Sequence, residues 1–494
     1  MHLPHWSARG YCAVKSPTWK IRFDLVLAVA ILTTWVAIIP RIVPNHDADR
    51  GTFVSVAARL LYGDTLYSGV WDNKEPLFYY FVAGQLKLGP WAEVAAEVLV
   101  LAITVAAAYF IAVKLASRWT AIAISFIAVP IAVTGKFYIP GDTELPGVAL
   151  VLVSIAASAY ERPVLAGLCI GLLVFTKLIF APVALVGVGS FLLAHRRFFD
   201  VPSVALGVST SAVFVVGVLV MRGELLPFTE IIRQNIAYSR GMLIAAKGLP
   251  SLVEHMRRVG AFGEIIPLLL AIMLVFIALS GKQKLSRMEL AIATACVSTF
   301  ASSLAVLSIT GIWEYHSQIL YIPAIICILS LGPLLDMAEK RARIITIGVV
   351  ILMGYLMGGA LALRDYIKSV HGFRASYAAL GELSPEARRL LAIGTSGTYA
   401  RFGQNDDLGH AIGLRHWKLA CPRFAQYFFQ PAALLNEAFE CASKSPTLII
   451  SASLLAGPDW PAWSEFVARV EHLVESYSCD ASSGLRVCRR PSGN

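Results

Sequence analysis

The chain has 494 residues, of which 57% are hydrophobic and 15% are charged, and its mean hydropathy is +0.67. A soluble domain carries about 25% charged residues, so this composition excludes an ordinary soluble protein and predicts an integral membrane protein. The net charge of +10 does not indicate a nucleic-acid surface, because the basic residues lie mainly in short loops between apolar runs.

Eleven apolar segments predict transmembrane helices. The first follows a basic N-terminal tail and is interpreted as an uncleaved anchor, since no small-residue cleavage motif of a signal peptide follows it. The fifth and sixth segments are short, and they are either two crossings or a bent, partly re-entrant pair. The eleven segments are 23–42, 92–114, 119–139, 144–161, 164–180, 181–194, 201–221, 262–280, 287–310, 317–335 and 343–363.

The first predicted outer loop, residues 43–91, is densely polar between two apolar segments. Such a patch is where a membrane protein can keep chemistry at a wet edge. Within the loop, Val54, Ala57, Ala58 and Leu61 recur at helical spacing and predict a short amphipathic helix over 51–62 that lies in the interface. Pro76 can begin a second short helix.

Loop charge predicts the orientation of the chain. The predicted inner loops are basic throughout, as at Lys114 and Arg118 or at Arg196 and Arg197, which places the N-terminus in the cytoplasm. An odd number of spans then places the C-terminus outside. The longer outer loop at 222–261 is also basic and is interpreted as a functional cationic surface.

From about Arg364 the composition becomes globular, which predicts a small α/β domain over 364–494 on the outer side. Short apolar runs predict strands, and apolar residues at helical spacing predict two helices. The predicted strands are 390–393, 447–451, 476–479 and 485–489, and the predicted helices are 430–445 and 463–474.

Four of the eight cysteines fall in this C-terminal region, at Cys421, Cys441, Cys479 and Cys488. Their confinement there indicates an oxidising compartment; zinc is the alternative, although no CxxC spacing supports it. Cys479–Cys488 is the predicted first pair, since residues 482–484 can turn the chain back, and Cys421–Cys441 is the remaining pair.

The first outer loop carries a recognisable pattern of an acid, a glycine, an aromatic, a small-residue helix and a D-N-K-x-P end. This pattern resembles the polyprenyl-phosphate-sugar-dependent glycosyltransferases of the GT-C fold, a group that includes dolichyl-phosphate-mannose protein mannosyltransferases, lipid A aminoarabinose transferases and rhizobial galacturonosyl transferases. The matching positions are Asp49, Gly51, Phe53, Ala57, Ala58, Gly63, Tyr67 and the run from Asp72 to Pro76.

Weaker elements extend the resemblance over roughly 23–335. They are the acidic second outer loop 141–144, the Gly-rich span ending at Lys177, an N-x-x-Y element at Asn235 and Tyr238, and His316 before a Tyr and a Pro. The resemblance implies a GT-C-like fold for the helical part of the chain. Together with the apolar segments and the globular C-terminal composition, it predicts an α-helical polytopic GT-C-like domain over 1–363, with about eleven transmembrane helices, and a small periplasmic α/β domain over 364–494. It implies an inverting transfer of a sugar from a polyprenyl-phosphate donor to an envelope lipid, glycan or protein, on the outer face of the bacterial inner membrane.

Such a transfer needs a base near the acceptor hydroxyl and cations around the departing lipid phosphate. The predicted catalytic acids are Asp49, Asp47, Asp142 and Glu144, with Asp49 favoured as the base. The family often has Glu directly after the first Asp, whereas this chain has Arg50, so the choice among these acids stays open. Asp49 is alternatively the N-cap of the 51–62 helix.

The predicted substrate-binding residues combine cations for the phosphate with polar groups for the sugar. Lys177 alternatively snorkels to water, as does Lys74, and Asp72 alternatively closes a turn before Pro76. The predicted set is Asp72, Lys74, Lys177, Arg233, Asn235, Tyr238, Arg240 and His316.

No cofactor is expected, although the D-x-D of Asp47 and Asp49 is an alternative site for a divalent cation. The rival function classes are a transporter or flippase of lipid-linked saccharides and a glycan polymerase or ligase. Transporters often show internal repeats and spans broken at the midplane, whereas here the acids cluster in the predicted outer loops and no internal repeat is visible.

Overall fold

The computed structural model describes most of the helical region and part of the C-terminal region. The described residues are 17–42, 48–89, 91–135, 138–245, 286–310, 314–333, 398–403, 418–422, 426, 432–451, 454–455, 461–482 and 485–491.

The N-terminal part of the chain is helical throughout its described ranges. Short 3-10 turns follow α1 and precede α9, α10 and α13, and a π-helical turn lies between α5 and α6. The helices are α1 Pro17–Ile38, α2 Ala48–Leu61, α3 Pro76–Leu88, α4 Trp91–Ala112, α5 Arg118–Ala123, α6 Val129–Val133, α7 Glu144–Ala159, α8 Pro163–Thr176, α9 Ala181–Ala194, α10 Val201–Met221, α11 Leu225–Ala245, α12 Arg287–Thr310 and α13 Tyr321–Ser330.

Among the described residues, three helices are long and apolar enough to cross a membrane, namely Trp91–Ala112, Phe198–Met221 and Arg287–Ser308. Helices α8 and α9 have 14 residues each, about 21 Å of helix against a hydrocarbon core of about 30 Å. The segments 262–280 and 343–363 lie outside the described residues. The helices coincide with the other predicted spans, whereas the count of eleven crossings stays a prediction.

The two helices of the first outer loop pack onto the ends of the longer helices. Phe53 of α2 and Phe78 of α3 meet edge to face with ring centroids 5.0 Å apart. They belong to an apolar cluster that also contains Phe175 of α8, Val215 of α10 and Phe228 of α11. This cluster fixes the first loop against the helical body, so its polar residues have defined neighbours.

The segment 222–261 was predicted to connect two spans on the outer side, and its first half forms α11, whose Phe228 and Ile231 pack into the apolar cluster. The prediction for the helix of the first loop was wrong. The predicted interfacial helix begins earlier than 51, at Ala48. Its side chains from Arg50 to Leu60 are all buried, so it lies within the protein and not half in water.

The described C-terminal elements form a five-stranded mixed sheet with strand order β2-β1-β3-β5-β4. Strands β2 and β3 both pair parallel to β1, and β5 pairs antiparallel to β3 and β4. The elements are β1 Thr398–Phe402, β2 Lys418–Leu419, α14 Ala432–Ala442, β3 Thr447–Ser451, α15 Pro461–Val474, β4 Ser478–Ser482 and β5 Leu485–Arg489.

The predicted helices and the last three strands are therefore present, with small shifts at their ends, and both predicted disulfides, Cys421–Cys441 and Cys479–Cys488, are formed. The predicted strand at 390–393 lies outside the described residues. Strands β1 and β2 were not predicted, since β2 has two residues and both depend on parallel partners distant in the sequence.

Candidate active site

Arg50, the residue that departs from the family pattern, ties the first loop to the second. It is 2% exposed, and its Nη2 lies 3.0 Å from Oε2 of Glu93 and donates to Oε1 of Gln85 at 2.9 Å. Its Nη1 donates to the carbonyl oxygen of Gly141 at 3.0 Å. Gly141 has φ +81°, and a Cβ there would lie 3.2 Å from Cδ and Nε of Arg50, so both conformation and space favour glycine.

The loop before α7, residues 141–144, then presents two buried carboxylates at the start of that helix. Asp142 is 3% exposed and Glu144 is fully buried. Thr143 joins them, because its amide donates to Oδ1 of Asp142 at 2.6 Å and its hydroxyl donates to Oε2 of Glu144 at 3.0 Å. Among the described residues, Oδ2 of Asp142 is buried with no hydrogen-bond partner. One carboxylate oxygen of Asp142 is thus buried at the site with no hydrogen-bond donor among the described residues.

Lys177 lies between α8 and the following 3-10 turn, next to these two carboxylates. Its Nζ lies 2.5 Å from Oε1 of Glu144, and the lysine side chain is 4% exposed. The snorkelling interpretation of Lys177 is therefore wrong, since the ammonium group is buried against a carboxylate within the protein. Glu75 of the first loop accepts a hydrogen bond at 3.0 Å from the amide of Leu178, which brings the D-N-K-x-P segment to the same corner.

The pKa of Asp142 is raised to about 6, first by burial and second by the negative charge of Glu144. The positive charges of Lys74 and Lys177 oppose this shift, and the hydrogen bond of Glu75 to the amide of Leu178 brings the segment of Lys74 to the same corner. Nζ of Lys74 also lies 5.6 Å from the ring centroid of Phe53. Two carboxylates and two lysines from three separate segments thus form one group, here called the acid–lysine cluster: Lys74, Asp142, Glu144 and Lys177.

The segment that carries Lys74 is fixed on both sides. Asp72 accepts from the amide of Asn73 at 2.8 Å and from the hydroxyl of Tyr79, so its carboxylate holds the turn before α3. The hydroxyl of Tyr67 donates to the carbonyl oxygen of Lys74 at 2.8 Å, and Nδ2 of Asn235 donates to that of Asn73 at 2.9 Å. Asp72 and Asn235, both predicted to bind substrate, therefore also position the loop.

Glu224, which sequence reasoning missed, anchors the other end of this loop. It is fully buried, and Oε1 accepts from the amide of Leu66 at 3.1 Å and from Nε of Arg222 at 3.0 Å. Oε2 accepts from the hydroxyl of Tyr80. The neighbouring Tyr67 has φ 68°, a conformation that costs free energy for a residue other than glycine and that these contacts hold in place.

Two further acids were missed on α4. Glu93 pairs with Arg50, and Oε1 of Glu97 accepts from the hydroxyl of Tyr138 at 2.5 Å. Both carboxylates are buried. Acids four residues apart in an apolar span are costly and tend to mark a site, and that signal was present in the sequence.

The other predicted site residues are spread more widely. Arg233 pairs with Glu230 on an exposed part of α11. His316 lies in the 3-10 turn Glu314–Leu320. Tyr238 and Arg240 lie on α11, with side chains outside the description.

The first acidic pair is only partly described. Asp49 lies in the first turn of α2 rather than before it, so the N-cap interpretation is wrong, while Asp47 and the side chain of Asp49 lie outside the description. In the described ranges, no group of three or more His, Cys, Asp or Glu side chains is arranged to hold a metal ion. The cation alternative at this D-x-D therefore stays a prediction.

Replacing Arg50 by methionine is expected to destabilise the protein by about 3–5 kcal/mol, because Glu93 then stays buried without its partner. The matched control is Arg233→Ala, whose ion pair with Glu230 is 78% and 44% exposed and therefore contributes little to stability. Unfolding of both variants in mixed detergent, followed by tryptophan fluorescence, measures the difference. Equal stability of the two variants would contradict the assigned role of Arg50.

No protein-family model and no curated protein matches the chain. Among solved structures, the chain is similar to a crystal structure of the Archaeoglobus fulgidus oligosaccharyltransferase in complex with Zn and sulfate. The TM-score is 0.49 at 14% sequence identity, over 94% of this chain and 73% of that chain. At this TM-score and identity, the likeness establishes neither the fold family nor the activity of this chain.

Proposed function

We propose that the chain is an inverting glycosyltransferase of the GT-C type that moves a sugar from a polyprenyl-phosphate donor to an envelope acceptor. The observation that carries the proposal is the acid–lysine cluster. The D-N-K-x-P segment, the acidic second loop and the end of the Gly-rich span resemble three separate elements of that family. They meet through the hydrogen bond of Glu75 to the amide of Leu178 and the ion pair of Lys177 with Glu144.

The reaction is a single displacement at the anomeric carbon. The acceptor hydroxyl oxygen forms the new bond to this carbon, the bond from the carbon to the phosphate oxygen breaks, and the hydroxyl proton passes to a carboxylate. We assign the base to Asp49 and the second acidic contribution to Asp142, with Asp47 and Glu144 as the remaining acids of the site. Polyprenyl phosphate leaves with the electron pair.

The departing phosphate carries negative charge that the site must stabilise. Lys74 and Lys177 are the cations of the acid–lysine cluster, and we assign the phosphate to them. Arg233 and Arg240 on α11, together with Tyr238 and His316, form the proposed outer part of the substrate site. Asp72 and Asn235 act by holding the loop that carries Lys74.

The proposed place of the reaction is the outer face of the bacterial inner membrane, with the C-terminal sheet in the periplasm. The basic inner loops support this orientation, and the two disulfides of the C-terminal region fit an oxidising compartment. Soluble nucleotide sugars do not reach that face, so a lipid-linked donor is the fitting source of the sugar. No metal is assigned to the reaction, and activity in excess chelator is the measurement for that assignment.

The dependence of activity on pH follows from Asp142. Its pKa is raised to about 6, so the carboxyl is protonated and neutral below that pH and ionised above it. The proposed role needs the ionised carboxylate, so kcat/KM is expected to fall about tenfold per pH unit below pH 6. Asp142→Asn is expected to remove this pH dependence from the residual activity. A wild-type profile that is flat from pH 7 to pH 5 would contradict the role of Asp142.

Mass spectrometry of envelope glycolipids and glycoproteins, with and without the gene, tests the function in cells. The proposal predicts that one sugar disappears from one acceptor class and returns with the wild-type gene but not with Asp142→Asn. A changed polymer length would indicate a polymerase or ligase. Unmodified acceptors with lipid-linked saccharide retained on the cytoplasmic face would indicate a flippase.

A further inference from the structure

The C-terminal sheet touches the first outer loop immediately before its D-N-K-x-P segment. The amide of Trp71 donates to the carbonyl oxygen of Pro422 at 2.9 Å, and Trp71 is 6% exposed. On the other side of the same loop, the charges of Arg59 and Asp64 act on the buried phenol of Tyr399 in β1, whose pKa is raised mainly by burial. The end of this loop at Trp71 thus contacts the segment that directly follows β2.

A disulfide at the adjacent residue restrains Pro422 at this contact. Pro422 directly follows Cys421, which is 3% exposed and forms a disulfide with Cys441 of α14. Strand β2, the edge strand that leads into this segment, has only two residues and two paired positions with β1. So short an edge strand provides few backbone hydrogen bonds, and the disulfide of the adjacent Cys421 is a covalent restraint on the position of Pro422.

We propose that the Cys421–Cys441 disulfide is a positioning element of the first-loop site: it holds Pro422 on the amide of Trp71 and thereby orders the segment 71–76. This inference rests on the proposed function, in which Lys74 of that segment receives the lipid phosphate. Asp72 follows Trp71 directly, so a displaced Trp71 displaces the turn that Asp72 closes with Asn73 and Tyr79. The disulfide forms only in an oxidising compartment, so the order of the segment 71–76 depends on that compartment.

The chain offers a matched control for this proposal. Cys479–Cys488 joins β4 to β5, and β4 is the edge strand opposite β2 in the sheet order. Four strand spacings of about 4.8 Å separate the two edges, or about 19 Å. Loss of this second disulfide affects the same sheet without touching Trp71.

The experiment compares amide hydrogen exchange in the full-length detergent-solubilised protein for the double variants Cys421→Ser/Cys441→Ser and Cys479→Ser/Cys488→Ser. We expect exchange at Trp71 and in peptides covering 71–76 to rise at least about tenfold in the first variant, as the loss of one buried hydrogen bond implies. We expect no change there in the second variant. Peptides covering β3, Thr447–Ser451, report whether the sheet remains folded.

Each outcome decides the proposal. Unchanged exchange at 71–76 in the first variant, or an equal rise in both variants, would overturn it. Loss of protection in β3 together with 71–76 would also overturn it, because the disulfide would then act on the fold of the sheet. If the first variant cannot be purified, the Cys479→Ser/Cys488→Ser variant before and after brief reduction gives the comparison, because it retains Cys421–Cys441 and lacks the other disulfide. Exchange does not depend on turnover, so the proposal can fail while the glycosyltransferase assignment stands.

Discussion

Replacing Asp49 by asparagine is expected to lower sugar transfer by about a hundredfold or more, with the protein still folded and inserted. Asparagine is nearly isosteric with aspartate but cannot accept the proton of the acceptor hydroxyl. The effect is expected in kcat rather than in KM, because the proton moves only in the transition state. Initial rates with a lipid-linked donor, at saturating donor and at pH 7.5, measure it.

The control for Asp49→Asn is Asp64→Asn, which changes an acid in the same loop that pairs with Arg59 and lies outside the proposed site. This variant is expected to keep near-normal kcat. Normal turnover in Asp49→Asn together with a large loss in Asp142→Asn would move the base to the second loop. Normal turnover in both would contradict the acid assignments.

Replacing Lys177 by methionine is expected to have two separable effects. The buried carboxylate of Glu144 loses the ammonium group that lies 2.5 Å from it, which costs about 3–5 kcal/mol of stability. The proposed site also loses a cation from the departing phosphate, which costs about a hundredfold in kcat. The measurements are unfolding in mixed detergent and initial rates on the same preparation.

The double variant Lys177→Met/Glu144→Gln separates these effects. Without the charge on Glu144 there is no uncompensated buried ion, so most of the stability is expected to return. Activity is expected to stay low, because the phosphate ligand is still missing. Recovery of both stability and activity in the double variant would show that Lys177 serves the fold alone.

The helices could be predicted where apolar content decides the structure. The spans at 92–114, 201–221 and 287–310 correspond closely to α4, α10 and α12, because a long apolar run has few alternatives to a helix in or beside a membrane. Helix α11 was missed, since Glu230, Arg233 and Gln234 interrupt its apolar residues. It is defined by packing against the first loop, which a single sequence does not show.

The resemblance pointed to residues that the structure brings together, whereas their partners could not be predicted. Arg50 was noted only as a departure from the family pattern. Its partner Glu93 and the carbonyl oxygen of Gly141 lie far away in the sequence, and no local spacing encodes such contacts. The same holds for Glu224 with Leu66 and for Trp71 with Pro422. The chemistry-bearing residues were thus visible in the sequence, and the pairings that position them were not.

Release of polyprenyl phosphate by the purified protein tests the central claim most directly. The protein, reconstituted in liposomes, is given a polyprenyl-phosphate sugar labelled in the sugar, together with an envelope extract as acceptor. The account predicts stoichiometric appearance of polyprenyl phosphate and of labelled acceptor with inverted anomeric configuration, both abolished in Asp49→Asn. Transfer of label from a nucleotide sugar without a lipid intermediate, or movement of intact donor across the bilayer without cleavage, would contradict it.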